Sequence, residues 1–416
     1  MPLSSIPKPA ELFSSLDGPS FILESAVGGE TKARISLVGW DPEVDVVVKE
    51  GEDVRDVLRE LGQKQADTGT LYKGGPVGYV SYEAVEAWED VKHKGLNDMG
   101  WPWGEFIVPK KFVVYDHVLG HASLCGVSKG ELGKAEPGGL EVFDERLDVS
   151  KEEFVRWVER AKALEEEGEI IQVVLSKSYT YRYTGDLRRL YFELRKVNPS
   201  PYMFHLRFSS GEVLGSSPEL LFRVEKGRVE TFPIAGTRPR GRDEWEDLKL
   251  EEELRKDPKE RAEHLMLVDL ARNDVGKVSR PGTVRVTNLM YVEKYSHVQH
   301  LVSKVEGELD PLFGPEDVLA AVFPAGTVSG APKPSAMEII GNTEKLKRGP
   351  YAGAVGFVTG GEAEFAITIR SFFARGGRLR AQAGAGIVYY SVPEKEWEET
   401  EHKLGALKRS LRPFLL

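Results

Sequence analysis

The chain has 416 residues, 41% hydrophobic and 29% charged, with a formal net charge of −10. That length is ample for a large core, as one big domain plus a smaller partner or one large composite. The acidic balance argues against a basic nucleic-acid-binding surface, and no stretch approaches the roughly 18 apolar residues of a membrane helix.

A single cysteine, Cys125, rules out an intramolecular disulfide. It suits a reducing cytoplasm. The opening Met1-Pro2-Leu3-Ser4 lacks the charged-then-apolar layout of a signal peptide, so a cytoplasmic location is expected.

Strands are expected at 21–25 and 33–38, then a short helix at 54–61. Gly74-Gly75-Pro76 is turn chemistry leading into a strand. Residues 126–141, rich in Gly, Lys and Glu, mark a candidate boundary between an N-terminal region, 1–125, and a C-terminal region, 150–416. Ser150 and Glu153 have capping-box spacing, Phe154, Trp157, Ala161 and Leu164 follow at helical intervals, and Gly168 ends the helix. Strands are expected at 170–183, 202–208, 212–224 and 228–234, with a hairpin turn around Gly227. Asp257 and Pro258 read as N-cap and first-turn proline of a helix running through Leu265, Val268 and Leu270. Strands at 353–359, 363–374 and 379–388 form a meander joined by Gly-Gly turns. Ser391, Pro393 and Glu394 start a final helix. Runs of strands with helices between them, and few βαβ signals, indicate an α+β fold with largely antiparallel sheets.

Glu260 and Glu263 lie at i,i+3 on one helix, and Glu396 and Glu399 repeat that spacing on the last. Taken singly, such a pair reads first as a solvated helix face, and Glu399 could simply pair with Lys403. Together, four carboxylates on two helices could hold one hard divalent ion such as Mg²⁺. His300, in an expected strand, reads either as a hydrogen-bonded structural histidine or as a general base. His297 and His300 lack the helical HExxH pattern, which argues against zinc. Gly326 to Lys333 has the wrong spacing for a phosphate loop, and Pro332 and Pro334 would obstruct its helix. Gly384 and Gly386 let backbone approach a ligand, or mark a bulge. Arg370 closes an alternating run and could clamp a carboxylate or pair with a structural acid.

Five segments in this order closely resemble the chorismate-utilising enzymes. They are Gln172-Val173-Val174-Leu175-Ser176, Pro233-Ile234-Ala235-Gly236-Thr237-Arg238-Pro239-Arg240-Gly241, Glu260-Arg261-Ala262-Glu263-His264, Gly326-Thr327-Val328-Ser329-Gly330-Ala331-Pro332-Lys333 and Gln382-Ala383-Gly384-Ala385-Gly386. The resemblance is strong over 150–410 and looser over the first 125 residues. It implies two antiparallel sheets packed as a sandwich, helices outside and the active site in a cleft. The substrate it implies is chorismate, a dicarboxylate.

One carboxylate would sit on Mg²⁺ held by Glu263 and Glu399, with Glu260 and Glu396 acting through water. The other would meet Arg370, Tyr351 and the backbone at Gly384, Ala385 and Gly386. Thr327 would line the ring, and Lys403 matches a lysine near the metal-bound carboxylate. Glu219, in Gly215-Ser216-Ser217-Pro218-Glu219-Leu220-Leu221, matches the general acid at the C4 hydroxyl. His300 matches the histidine implicated in pyruvate elimination.

Two positions subdivide the family. Water-adding members carry lysine where this chain has Gln172. Members that attack covalently, on the way to a 4-amino product, carry lysine where it has Ala235, beside Gly236 and Thr237. Gln172 with Ala235 is the combination of the members that add ammonia at C2 and aromatise the ring, releasing anthranilate and pyruvate. The alternatives are formation of aminodeoxychorismate, or a catalytically silent tryptophan-responsive subunit.

The chain carries no Gly-x-Cys-x-Gly nucleophile elbow, so ammonia is expected from a separate glutamine amidotransferase subunit in a hetero-oligomer. Leu23-Glu24-Ser25 and Asn198-Pro199-Ser200-Pro201-Tyr202-Met203-Phe204 resemble the two halves of a feedback site for tryptophan. The contacts there are Glu24, Ser25, Pro201, Tyr202 and Met203. Ala33-Arg34-Ile35-Ser36 departs from the family's Gly-Arg-Tyr-Ser, which leaves Lys32 and Arg34 unassigned.

Overall fold

The structure, a computed structural model, describes residues 1–25, 34–63, 69, 71–295 and 298–416. Lys32, Ala33 and His297 lie outside the described residues. The first strands are β1 (Ser20–Glu24), β2 (Ile35–Val48), β3 (Val77–Val80), β4 (Gly104–Asp116), β5 (His121–Cys125) and β6 (Leu140–Leu147). Next come β7 (Gln172–Gly185), β8 (Tyr202–Arg207), β9 (Glu212–Ser217), β10 (Leu220–Glu225), β11 (Arg228–Thr231) and β12 (Ile234–Pro239). The last are β13 (Arg285–Lys294), β14 (Val298–Glu308), β15 (Gly330–Ala331), β16 (Ala354–Thr359), β17 (Glu362–Ile367), β18 (Ser371–Arg375) and β19 (Arg378–Ile387). The helices are α1 (Pro9–Ser14), α2 (Val54–Leu61), α3 (Lys151–Glu166), α4 (Arg188–Val197) and α5 (Glu244–Lys256). They continue with α6 (Pro258–Gly276), α7 (Pro315–Val322), α8 (Lys333–Thr343) and α9 (Pro393–Leu411).

The described ladders between these strands are antiparallel and join them into one network. One half runs β6-β7-β19-β18-β9-β8-β1-β2. The other runs β4-β3-β16-β17-β10-β11-β14-β13. The long ribbon of β2 against β4 spans both halves and shifts register between Pro42 and Val44, next to Asp41 at φ 53°. A bulge there bends the ribbon, so one strand pair serves both halves.

Alternation along the first half assigns neighbouring residues to two different cores, because successive side chains face opposite sides of a strand. Phe21, Leu37, Phe204, Val213 and Phe373 join a large core with Tyr79, Phe222, Phe357 and Phe365 of the second half. Ile22, Val38, Met203, Leu214 and Phe372 join a second core with Phe13 of α1, Leu190 of α4 and Leu404 of α9. The halves therefore pack face to face, with helices over the outer face of the first. This is the expected α+β sandwich. Strands from before the 126–141 segment are woven into it, β1 on β8 and β3 on β16.

Several local expectations change. The 212–224 strand divides into β9 and β10, because Pro218 lacks an N–H to continue the ladder. The 363–374 strand divides into β17 and β18 around Arg370, whose φ of 53° is left-handed. The expected three-strand meander therefore does not form. β17 pairs with β16 and β10, whereas β18 pairs with β19 and β9. Helix α5 is not expected from the sequence. It is largely charged, with Trp245 and Leu248 exposed, so no apolar stripe marks it. Ser150 Oγ accepts from the Glu153 N–H as expected of an N-cap. Ser391 stands one residue before the N-cap Val392 and accepts from the Val388 N–H instead. The hairpin at Glu225–Arg228 is as expected, with Lys226 and Gly227 both at positive φ, the signature of a two-residue hairpin turn.

Candidate active site

The chain crosses between the halves at Ser217–Pro218–Glu219 and again at Thr368–Ile369–Arg370. The two crossings are hydrogen-bonded to each other: the Ser216 N–H donates to the Arg370 carbonyl at 3.1 Å, and the Ile367 N–H to the Glu219 carbonyl at 3.0 Å. Glu219 and Arg370, 151 positions apart in the chain by their numbering, thus sit on adjoining segments at the seam. Thr327 Oγ1 donates to Glu219 Oε1 at 2.9 Å. Both side chains line a pocket of about 400 Å³ whose other walls include Leu220, Leu267, Val322 and Ile367. Thr231 and Asp274 also line this open recess, so apolar walls surround a few polar groups, the usual make-up of a small-molecule site.

On the other side of the seam, Gln172 begins β7 and is buried, its Nε2 3.5 Å from Glu263 Oε1. Its Oε1 has no hydrogen-bond partner among the described residues. Buried polar atoms are nearly always paired, so this acceptor is one a ligand N–H or O–H can fill. A Cβ on Gly386 would stand 2.4 Å from Gln172 Nε2, so any larger residue would displace the amide from this position. A Cβ on Gly384 would stand 3.0 Å from the Tyr351 hydroxyl, which places the ring over that strand. Burial pushes Tyr351 up to about 12, against the nearby Arg348 and Arg370 charges, so it stays a neutral hydroxyl at neutral pH.

Lys403 Nζ bridges the Glu399 carboxylate at 2.7 Å and the Gly384 carbonyl at 2.9 Å. Arg370 Nη1 donates to the Lys403 carbonyl at 2.7 Å. Burial holds its guanidinium pKa below the ordinary value.

Glu263 is half-buried. Burial, then Glu260 and Glu399, push its carboxyl above the usual range against Lys259 and Lys403. Burial and Glu399 do the same to Glu396, against a hydrogen bond with Ser391. The carboxylates of the two helices are therefore linked electrostatically through Glu263 and Glu399, but one acid on each helix also has a cationic partner. Glu260 pairs with Arg238 at 3.0 Å, as Glu399 does with Lys403. Among the described residues no three His, Cys, Asp or Glu side chains converge as a closed ligand set. The donors are all oxygen, and Glu263 and Glu396 each feel a neighbouring carboxylate, a donor chemistry that suits a hard divalent cation.

Ala235, Gly236 and Thr237 lie on β12 against β14, where Thr237 pairs with His300. His300 Nδ1 is 3.0 Å from both Thr237 Oγ1 and the Gly236 carbonyl. A neutral ring donating from Nδ1 to that carbonyl carries its basic lone pair on Nε2. Gly236, at φ 71°, would place a Cβ 2.9 Å from Glu260 Oε2, which ties this turn to the acidic helix.

The N-terminal residues converge elsewhere. Glu24, Ser25, Pro201, Tyr202 and Met203 all line one recess of about 440 Å³. Its far wall is Val355, Phe357 and Glu364 of β16 and β17, which sequence reasoning missed because no local pattern links them to 20–25. The Glu24 carboxylate is already held by Arg195, at 2.7 and 2.8 Å, and by the Tyr191 hydroxyl at 3.0 Å. Arg34 pairs with Asp116 at 2.9 Å. Arg238 has no role assigned from sequence, although it stands in one of the five family segments, with Asp257 and Glu260 downstream.

Residues 18–409 match the profile of the chorismate binding enzyme family. The chain belongs to this family. Anthranilate synthase component 1 of Saccharolobus solfataricus is 50% identical, over 99% of this chain and 98% of the relative. The component 1 of Aeropyrum pernix is 44% identical, over 99% and 95%. The crystal structure of anthranilate synthase component I from Streptococcus pneumoniae superposes with a TM-score of 0.82 at 32% identity, over 92% of this chain and 95% of the other. The chain is thus a chorismate-utilising enzyme by family. No helix among the described residues is long and apolar enough to cross a membrane.

Proposed function

We propose that this chain is the chorismate-binding large subunit of an anthranilate synthase. It takes ammonia from a glutamine amidotransferase subunit and forms anthranilate and pyruvate through 2-amino-2-deoxyisochorismate. The observation that carries this reading is Gln172. At the position where water-adding relatives have lysine, the chain has a buried neutral amide whose acceptor oxygen is unpaired among the described residues. An amide cannot deprotonate water, whereas ammonia is nucleophilic without a base and its N–H suits that oxygen.

In the first step the ammonia lone pair bonds to C2 and both ring double bonds shift. The C4–O bond breaks, with a proton from Glu219 carrying the oxygen away as water, and the ammonium formed at C2 loses a proton that balances the one Glu219 gave. In the second, His300 takes the C2 proton and the C3–O bond breaks. The enolpyruvyl group leaves and gains a proton as pyruvate, and aromatisation drives the step. Arg370 and Tyr351 orient one substrate carboxylate over the Gly384–Gly386 strand. Glu263, Glu399, Glu260 and Glu396 would hold Mg²⁺, with Lys403 tethering Glu399. When bound, the ion offsets the charge of the other carboxylate.

Purified chain with chorismate, Mg²⁺ and ammonium should yield anthranilate and pyruvate by mass spectrometry. Isochorismate or aminodeoxychorismate as the product would overturn the reading.

Tryptophan, in this reading, occupies the recess at Ser25 and Met203 and inhibits. The recess is lined by strands of both halves, so a ligand there bears on the seam. Ser25→Ala should raise the tryptophan concentration for half-inhibition about 10-fold, the equivalent of one hydrogen bond to a charged group. An unchanged inhibition curve would place the effector elsewhere.

A further inference from the structure

Arg348 is 1% exposed and reaches no ligand site directly, yet its contacts converge on the segments that build one. Its Nε and Nη2 donate to the two oxygens of Glu344 at 2.9 and 2.7 Å. Nη1 donates to the Val328 carbonyl at 2.7 Å, and Nη2 to the Val174 carbonyl at 2.8 Å. Val328 follows Thr327, and Val174 lies two residues from Gln172. The guanidinium also lies 5.5 Å from the ring centre of Tyr351 and 4.6 Å from that of Tyr82. Glu344 Oε1 accepts in turn from the N–H and hydroxyl of Ser176, each at 2.8 Å, and Gln382 Nε2 donates to Ser176 Oγ at 2.9 Å. Behind the guanidinium, Glu83 accepts from the Arg348 and Gly349 N–H groups at 2.6 and 2.9 Å.

We propose that Arg348, locked by Glu344, is a positioning residue that sets the loop carrying Thr327, the strand carrying Gln172 and the ring of Tyr351 at one mutual distance. The inference rests on the function proposed above. A planar fork reaches a carboxylate and two carbonyls in fixed directions, which a lysine ammonium on a flexible stem cannot reproduce. β15 pairs with β7 at two residues, Gly330 on Val173 and Ala331 on Gln172, flanked by the Ile171 N–H on the Ala331 carbonyl at 2.8 Å and the Val174 N–H on the Ser329 carbonyl at 2.9 Å, so the ladder stops at Ser329, short of Thr327. Glu219 and Thr327 serve the departing C4 oxygen and Gln172 serves C2. Their spacing therefore decides whether bond formation and departure stay in register.

The test compares unmodified protein with Arg348→Lys and Glu344→Gln at saturating Mg²⁺, with melting curves to set the assay temperature below each transition. The expected result is a fall in kcat of about 10- to 100-fold, the size that misplacement by an ångström produces. The KM for ammonium should rise and the ratio of released 2-amino-2-deoxyisochorismate to anthranilate should change. A purely structural role would lower all products in proportion to the folded fraction, leaving KM and the ratio unchanged, and that outcome overturns the proposal. Should Arg348→Lys fail to fold, Glu344→Gln decides alone, because it keeps the shape of the partner while removing its charge and one of its two acceptor oxygens. Unmodified protein that makes no anthranilate would instead defeat the underlying function, which separates the two failures.

Discussion

Glu219→Gln should lower kcat about 100- to 10,000-fold, the range contributed by a positioned general acid. The substitution is nearly isosteric, and the amide oxygen can still accept from Thr327 Oγ1, so the contact at 2.9 Å survives. What disappears is the proton for the C4 oxygen. Chorismate should then bind with a KM near that of the unmodified protein. Supplied 2-amino-2-deoxyisochorismate should still lose pyruvate at its former rate, because that step breaks a different C–O bond. Steady-state rates from the two substrates check both halves of the expectation. A kcat within twofold of the parent with chorismate would remove Glu219 from the chemistry. An equal loss with both substrates would give it a role in shaping the pocket instead.

Glu263→Gln should abolish most turnover at every Mg²⁺ concentration, by about 100-fold or more if it removes a principal electrostatic partner of the substrate. The same substitution should not destabilise the protein. Burial and the charges of Glu260 and Glu399 raise the Glu263 carboxyl above its ordinary value of 4.5. The folded state therefore holds that proton more tightly than the unfolded state. By linkage, stability falls as pH rises from about 4.5 through the raised value, and stays lower above it. Gln carries no such charge. Without divalent ions the variant should melt at or above the parent temperature at neutral pH, and the difference should vanish below about pH 4.5, where both states are protonated. A cation bound only by the folded parent raises its Tm, and the variant should lose that rise. Melting curves with and without Mg²⁺ test this independently of activity. A variant that keeps full activity and the full Mg²⁺ response would reject the assignment.

Much of the site is legible in the sequence because its chemistry resides in short continuous segments. Asp257 and Pro258 start α6 as expected, so Glu260 and Glu263 do share a helix. The Gly-Ala-Gly run does lie on a strand against the Gln172 strand, Gly386 opposite Val174. Breaks and long-range partners are not legible in the same way. Residues 363–374 alternate well enough to suggest one strand. Arg370 in left-handed backbone turns the chain between the halves instead, a conformation no side-chain pattern announces. Likewise no sequence pattern singles out Glu344 and Arg348, whose burial makes them the link between two site segments.

Residue identity and local periodicity thus determined most element types, the α+β class and the inventory of acids, amide and glycines, because each depends on neighbours within a few positions, while the sandwich followed from the family resemblance. Only the tertiary structure decided that two crossings meet, that Thr327 reaches Glu219 and that Glu24 is already committed to Arg195. Those pairings join segments far apart in the chain. The packing of two sheet halves on a shared core selects them, and local sequence does not encode that packing.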